Sequence, residues 1–391
     1  MKVSVFCLLF FATTLFAQDD AEKSFILGTR GSYFINDNYY DNALNFVQMK
    51  YRDEVLLETS ILKRNFEFRV FDPVSTNEDF FVDPVNVSAE LLFDKTSFQA
   101  GFIRYRFSET FGLQILDVAN PRDYSDYVLN DLSWAKRSVF GINMKNTFDR
   151  LETLWMLTLW DNGDRLPYKG TPYDLTEGKF GYEGGVVERP WFKDYEYGAR
   201  FKYLFENGLD MSVLGYHHFA RPTVLSLSGN PFTGFNIKQR DRMVNSLGMA
   251  ASYVLGDWVL RGDVLYTMKD NFQTGPITFE EKNHYQQLMG LDRLWETWSL
   301  GAQIQNDFAY HRNFIGMKLE SSYFEFWKPS TMFFVGDSHG DQWLQLKNAF
   351  EYESWNVNVT ADFLSGERKA KGLFGLYRTD DRIMFEVMKT Y

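Results

Sequence analysis

Six charged residues crowd into the stretch from Arg104 to Asp123: Arg104, Arg106, Glu109, Asp117, Arg122 and Asp123. Guanidinium and carboxylate groups so spaced suggest no covalent chemistry. Facing each other across a narrow passage, however, they would set up a transverse field that sorts solutes by charge and size. Paired with one another they would only hold a loop to its support, and the sequence leaves both readings open. The segment Phe107 to Ala135 also carries an Asn120-Pro121 turn signal and a short helical pattern from Tyr124 to Leu132.

Other chemistry is poorly supplied. His217, His218, His284, His311 and His339 show no HExxH or similar ligand spacing and read as solvated or interfacial residues. On a strand, His217 and His218 would point to opposite faces. Asp337 to Asp341 lacks a full calcium-ligand series and reads as an exposed turn. Gly31, Gly101, Gly141 and Gly198 are scattered and form no phosphate-binding loop. Neither catalytic residues nor a metal nor a cofactor is expected.

The elements that must position the charged segment repeat one pattern. From Tyr195 to Phe205 the odd positions are apolar or aromatic, apart from the turn, while Glu196, Arg200 and Lys202 occupy even ones. Asn207-Gly208 then supplies a tight turn, and Leu209, Met211 and Val213 resume the alternation. The same two-faced design recurs from Val85, Phe140, Trp258, Trp298 and Trp355 onward, in arms of about 9 to 12 residues, the length of a tilted membrane strand. Leu151 to Trp160 is apolar on both faces and reads as a strand with part of its inner face covered.

Short turns at Asp94-Lys95, Asp149-Arg150, Glu206 to Gly208, Gly256-Asp257 and Glu353-Ser354 alternate with long polar segments. Those segments run roughly over Phe71 to Asp83, Phe107 to Ala135, Asp161 to Pro190, Arg221 to Gln239 and Asp270 to Glu281. The polar parity then lines a lumen, where Arg200, Lys202, Arg261, Asp263, Glu90 and Asp362 become wall residues. Trp155, Trp160, Trp258, Trp298 and Trp355 read as anchors at the membrane interface. Pro329 argues against an uninterrupted strand between His311 and Trp343.

The chain opens with a charge, an apolar run and Ala17 before a polar start, which reads as a secretory signal over residues 1–17. The single cysteine, Cys7, leaves with it, so no disulfide is expected. Without Lys2, 40 basic residues face 52 acidic ones, a net charge of −12 that argues against a nucleic-acid partner.

At the other end Ile383, Phe385, Val387 and Tyr391 share one parity, with Lys389 the exception. Here the chain resembles bacterial outer-membrane proteins, whose last strand ends in an aromatic residue read by the barrel-assembly machinery; Phe385, Val387 and Tyr391 would be that signal. Arg104 to Asp123 is similar to a segment of an uncharacterised family of porin-like Gram-negative outer-membrane barrels, aromatic-Gly-Glu followed by Leu-Asp-Val-x-Asn-Pro-x-Asp. Glu109, Leu116, Asp117, Val118, Asn120, Pro121 and Asp123 correspond, while Phe107-Ser108 stands where the family commonly has Trp-Gly. The resemblance implies a barrel with this segment folded toward the lumen.

The expectation is all-β: a transmembrane antiparallel up-and-down β-barrel of about 16 strands, range about 14–18, over residues 18–391 as one domain. Residues 107–135 would be an inward-folded constriction or plug. The expected function is passive diffusion of small solutes across the outer membrane. The alternatives are a plugged barrel with a structural or docking role and a secreted glycan-binding sandwich. Outer-membrane lipid, the assembly machinery and small solutes are the expected partners, and homo-oligomerisation stays open.

Overall fold

A computed structural model describes residues 22–35, 39–73, 81–108, 110, 114–125, 129, 135–161, 163–167, 185–186, 189, 194–221, 224–230, 234–240, 242–273, 279–337, 340–367, 374 and 380–391. The signal segment 1–17 and Glu109 lie outside them, as does most of the helix expected over Tyr124 to Leu132.

The first wall runs β1 (Glu22–Phe34), β2 (Tyr39–Leu56), β3 (Ile61–Pro73), β4 (Phe81–Leu92), β5 (Thr96–Ile103), β6 (Val139–Phe148) and β7 (Leu151–Trp160). A small ladder, β8 (Arg165–Leu166) with β9 (Gly185–Val186), sits in the connection that follows. The wall resumes with β10 (Glu196–Leu204) and β11 (Leu209–Phe219). A separate hairpin, β12 (Val224–Asn230) with β13 (Gly234–Arg240), then precedes β14 (Met243–Leu255) and β15 (Trp258–Gln273). β16 (Phe279–Leu294), β17 (Trp298–Asp307), β18 (Arg312–Ser321), β19 (Trp327–Gly336), β20 (Gln342–Tyr352), β21 (Trp355–Ser365) and β22 (Arg382–Thr390) complete it. Each strand pairs antiparallel with the next wall strand, and β1 pairs with β22, so an 18-stranded sheet closes on itself. A closed single sheet is not a sandwich.

The expected count of about 16 therefore becomes 18. The ambiguous span from His311 holds two wall strands, and Pro329 sits in the second, opposite Asn348. On its other side the β18 ladder stops at Ser330, so the N–H that proline lacks is not needed there.

Alternation does what it must in a lipid-facing wall. Tyr197, Phe201, Met249, Met289, Ile304, Ile315 and Phe385 are exposed on the outside, while the opposite parity turns inward. A register shift between Glu67 and Phe68 against β4 breaks the rule locally: Val85, expected on the outer parity, is buried. Trp160, Trp258, Trp298 and Trp355 lie at strand termini, whereas Trp155 sits mid-strand, edge-on to Phe201 at 5.6 Å.

On the rim that holds both chain ends, turns are two to five residues long. Asp149 (φ 50°) and Glu353 (φ 51°) take the left-handed conformation that two-residue hairpin turns require, as Gly208 (φ 81°) does in the hairpin after β10. The opposite rim carries the long segments but also four-residue connections after β1 and β17. Two segments expected as loops are shorter than anticipated. β3 runs through Pro73 and β4 starts at Phe81, while β15 reaches Gln273 and β16 starts at Phe279. At the tips of β15 and β16 the added pairs Asp270 with Lys282 and Asn271 with Glu281 are polar on both sides, so lipid-type alternation gave no sign of them. Arg221 to Gln239, also expected as a loop, holds the β12–β13 hairpin.

Candidate functional site: a segment pinned across the lumen

The connection after β5 does not leave the barrel. Tyr105, Phe107, Ile115, Leu116 and Ala119 bury themselves against Val139, Met156, Leu214, Tyr216, Ala250, Leu265 and Leu288, inward residues of β6, β7, β11, β14, β15 and β16. Each buried large side chain contributes about 1.5–3 kcal/mol, so the segment is a packed element and not a loose flap. This also explains why β7 is apolar on both faces: Met156 meets the segment, and Leu154 packs against the same cluster.

The wall is shaped for it. A Cβ at Gly248 on β14 would come within 2.6 Å of Leu116 Cδ2. Gly248→Val is therefore expected to push Leu116 out of its seat, destabilising the segment by about 1–3 kcal/mol. Faster proteolysis within residues 107–135 of the folded barrel would register it, and unchanged digestion would count against the seat.

Asp117 organises the backbone. It is buried, accepts the amide hydrogens of Phe107 (2.6 Å) and Ser108 (3.1 Å), and pairs with Lys136. Lys136 also donates to Gln114 Oε1 at 2.6 Å; burial pulls its ammonium below the ordinary range, and Asp117 pulls it back. Asn120 joins the two ends of the connection, just past β5 and just before β6, accepting from Tyr105 N and donating to Arg137 O, each at 2.8 Å. Tyr105 reaches down to Asn143 on β6 at 2.6 Å.

Wall contacts fix both ends. Ser108 donates to Asp263, the sixth residue of β15, with Thr110 3.3 Å from the same carboxylate. On the far side Leu129 O accepts from Arg382 Nη2 (3.3 Å) on β22. Arg382 itself pairs with the buried Asp362 on β21 at 2.8 Å. Leu129 joins a second inward cluster with Phe34, Phe314, Phe334, Trp343, Leu364 and Phe374. The segment thus spans the lumen from β15 to β22.

The remaining expected residues fall into place around it. Arg104 pairs with Asp83 at 2.9 Å on the β4 side. Arg122 donates Nη2 to Gln114 O at 2.9 Å, while its amide donates to Asp164 at 2.8 Å. Asp123 pairs with Arg165 at 2.7 Å; burial alone would raise its carboxyl, but Arg165 and Ser125 outweigh that and hold it below the usual range. Arg200 lies 5.9 Å from the Phe107 ring. Lys202 pairs with Asp210 (2.6 Å) and Arg261 with Asp292 (2.6 Å), each across neighbouring strands. Arg106 is exposed, although Tyr105 and Phe107 on either side are 5% and 2% exposed.

Sequence reading missed a buried knot beside the segment. Arg221 donates to Val118 O (2.9 Å) and Ala119 O (3.2 Å) and pairs with Asp161 (2.7 Å) and Glu196 (2.8 Å). Arg189 grips Asp161 as well, at 2.6 Å. The available signal was positional, since Asp161 directly follows β7 and Arg221 closely follows β11, at one rim.

The histidines also differ from expectation. His217 faces outward beside Tyr197, as anticipated, while His218 is buried against Ser246 at 2.8 Å. His284 is buried, bridging Asp270 (2.9 Å) and Asp307 (3.1 Å), because a paired ring can be buried at little cost. Asp341, expected in an exposed turn, is buried and caps the Phe374 amide at 2.7 Å.

No protein-family model matches the chain, and no curated protein matches it. Solved structures match over nearly its whole length. Pseudomonas aeruginosa OpdL shows 10% identity and a TM-score of 0.58, covering 96% of this chain and 99% of its own. P. aeruginosa OccK2 (OpdF), also solved in complex with glucuronate, shows 9% identity and a TM-score of 0.60, covering 95% and 97%. P. aeruginosa OccD3 (OpdP) shows 11% identity and 0.59, covering 95% and 91%. These are Gram-negative outer-membrane porins, and the likeness establishes a shared barrel fold.

Proposed function

We propose that the chain is an outer-membrane channel for passive diffusion of small solutes, narrowed by the segment that crosses its lumen, with Arg106 as the charge that solutes meet. The observation that carries this reading is Arg106 itself: an exposed arginine on a segment whose other described residues are buried or half-buried between two inner walls. Water reaches that point, and a fixed cation beside a low-dielectric wall attracts anions and repels cations. In the same reading Asp117, Arg122, Asp123 and Asp263 position the segment and Arg104 ties it to the wall. Lys202 and Arg261, matched by carboxylates on adjacent strands, brace the barrel. The solved glucuronate complex of OccK2 suggests sugar acids as first test solutes.

Purified protein in planar bilayers is expected to give stepwise conductance. Arg106→Glu is expected to move the reversal potential in a KCl gradient toward cation preference without altering barrel stability. Silent membranes with the wild type would return the plugged-barrel reading, and an unmoved potential would remove Arg106 from the passage.

The outward Phe385 and Val387 on β22, with Tyr391 beyond them, support reading this strand as the assembly signal. Residues 1–17 would direct export.

A further inference from the structure

Cations near the rim of short turns are handled in two ways. Those on the inward parity are matched to carboxylates: Lys63 with Glu54 (2.7 Å), Lys145 with Glu152 (2.7 Å), Lys202 with Asp210 (2.6 Å) and Arg261 with Asp292 (2.6 Å). Two on the lipid-facing parity are matched to aromatic rings. Arg293 shares its parity with the exposed Met289, and Lys389 shares its parity with the exposed Phe385.

Arg293 lies directly opposite Trp258 in the ladder, its Cζ 4.9 Å from that ring and 4.5 Å from Trp295. Lys389 lies opposite Trp355, its Nζ 5.1 Å from that ring and 4.6 Å from Tyr391. Among the described residues neither has a carboxylate within ion-pair distance. Arg64, also outward, does have one, Asp53. Trp258 and Trp355 are the first residues of their strands, and Arg293 and Lys389 each stand one residue from the end of theirs, so both cages sit at the same rim.

Rings over a cation hold it in place but leave its charge unneutralised. Beside indoles at the edge of a lipid-facing belt, the complementary group is an anion at headgroup depth. We infer that Arg293 with Trp258 and Trp295, and Lys389 with Trp355 and Tyr391, are two separate seats for the phosphate of an anionic phospholipid in the leaflet at the short-turn rim. In each seat the cation meets the phosphodiester and the rings flank the glycerol region.

The test is native mass spectrometry of the full-length mature barrel, stripped of lipid and titrated with phosphatidylglycerol. Two tight lipids are expected on the wild type. Arg293→Gln and Lys389→Gln should each weaken one of them about fivefold, and the double variant should weaken both by that factor. Arg293→Lys and Lys389→Arg should largely retain them. A double variant that binds phosphatidylglycerol as the wild type does would overturn the assignment. So would displacement of the lipid by millimolar glycerol 3-phosphate, which would indicate a site for free phosphate. A readout without variants uses tryptophan fluorescence of the wild type, which headgroup-spin-labelled phosphatidylglycerol should quench more than the equally labelled phosphatidylcholine. Equal quenching would also overturn it.

Discussion

Arg221→Leu is expected to lower the stability of the folded barrel by about 3–5 kcal/mol and to release the lumen segment at its centre. One guanidinium holds the carbonyls of Val118 and Ala119 and neutralises Asp161 and Glu196. Leucine would leave Asp161 paired to Arg189 and take away the cation paired to the buried Glu196, and uncompensated buried charge is what makes such a deletion costly. Denaturant unfolding of the barrel in detergent measures the loss, and single-channel recording should show the segment as added current noise. A shift below about 1 kcal/mol would mean that the knot contributes no more than an exposed ion pair. Acid attacks the same knot. Burial by itself would raise the Asp161 carboxyl, but Arg221 and Arg189 outweigh it and hold it down to about 2. The stability that its ionisation contributes is complete above the ordinary carboxylate range and is lost as the pH falls toward 2.

Excising residues 110–134 and bridging the gap with a Gly-Ser linker is expected to raise single-channel conductance and to weaken charge selectivity. The segment occupies the middle of the barrel between β15 and β22, and the excision removes the narrowing together with its Leu129 anchor to Arg382, leaving only Ser108 on Asp263. The excision also takes Ile115, Leu116 and Ala119 away from the cluster that holds Leu214, Leu265 and Leu288, and so bares an apolar patch. A dry apolar wall can hold a pore closed, so the deletion should be paired with Leu265→Ser and Leu288→Ser to keep the passage wet. Conductance unchanged in both forms would show that the segment does not narrow the path.

The walls were largely legible because lipid on one side and polar side chains on the other force a period of two. The hairpin of β10 and β11 appears as its alternation and Asn207-Gly208 announce. The failures have separate physical origins. Val85 changes face because one extra residue at a bulge inverts parity, which no local pattern reports. β19 was obscured by Pro329, whose missing donor matters only if a neighbour needs it. The upper parts of β15 and β16 rise where both faces carry polar residues. For the site, the charges of Arg104 to Asp123 pointed to the right segment, and the two-sided apolar character of Leu151 to Trp160 pointed to something covering it. Its anchors were illegible. Asp263 meets Ser108 across 155 residues and Arg382 meets Leu129 across 253, and such contacts exist only once the barrel brings its walls round.

Closure has a consequence for the order of folding. Consecutive wall strands are hairpins or are joined by one connection, whereas β1 and β22 come from opposite ends of the chain, where Tyr391 N also donates to Phe25 O at 2.8 Å. Loop-closure entropy places such a pairing late, so the sheet can grow strand by strand and seal last. Until then it carries two open edges. Arg382, which receives the far end of the lumen segment, lies on that sealing strand. The partition of the lumen is therefore finished in the same step that shuts the wall, and an unsealed barrel is also an unpartitioned one.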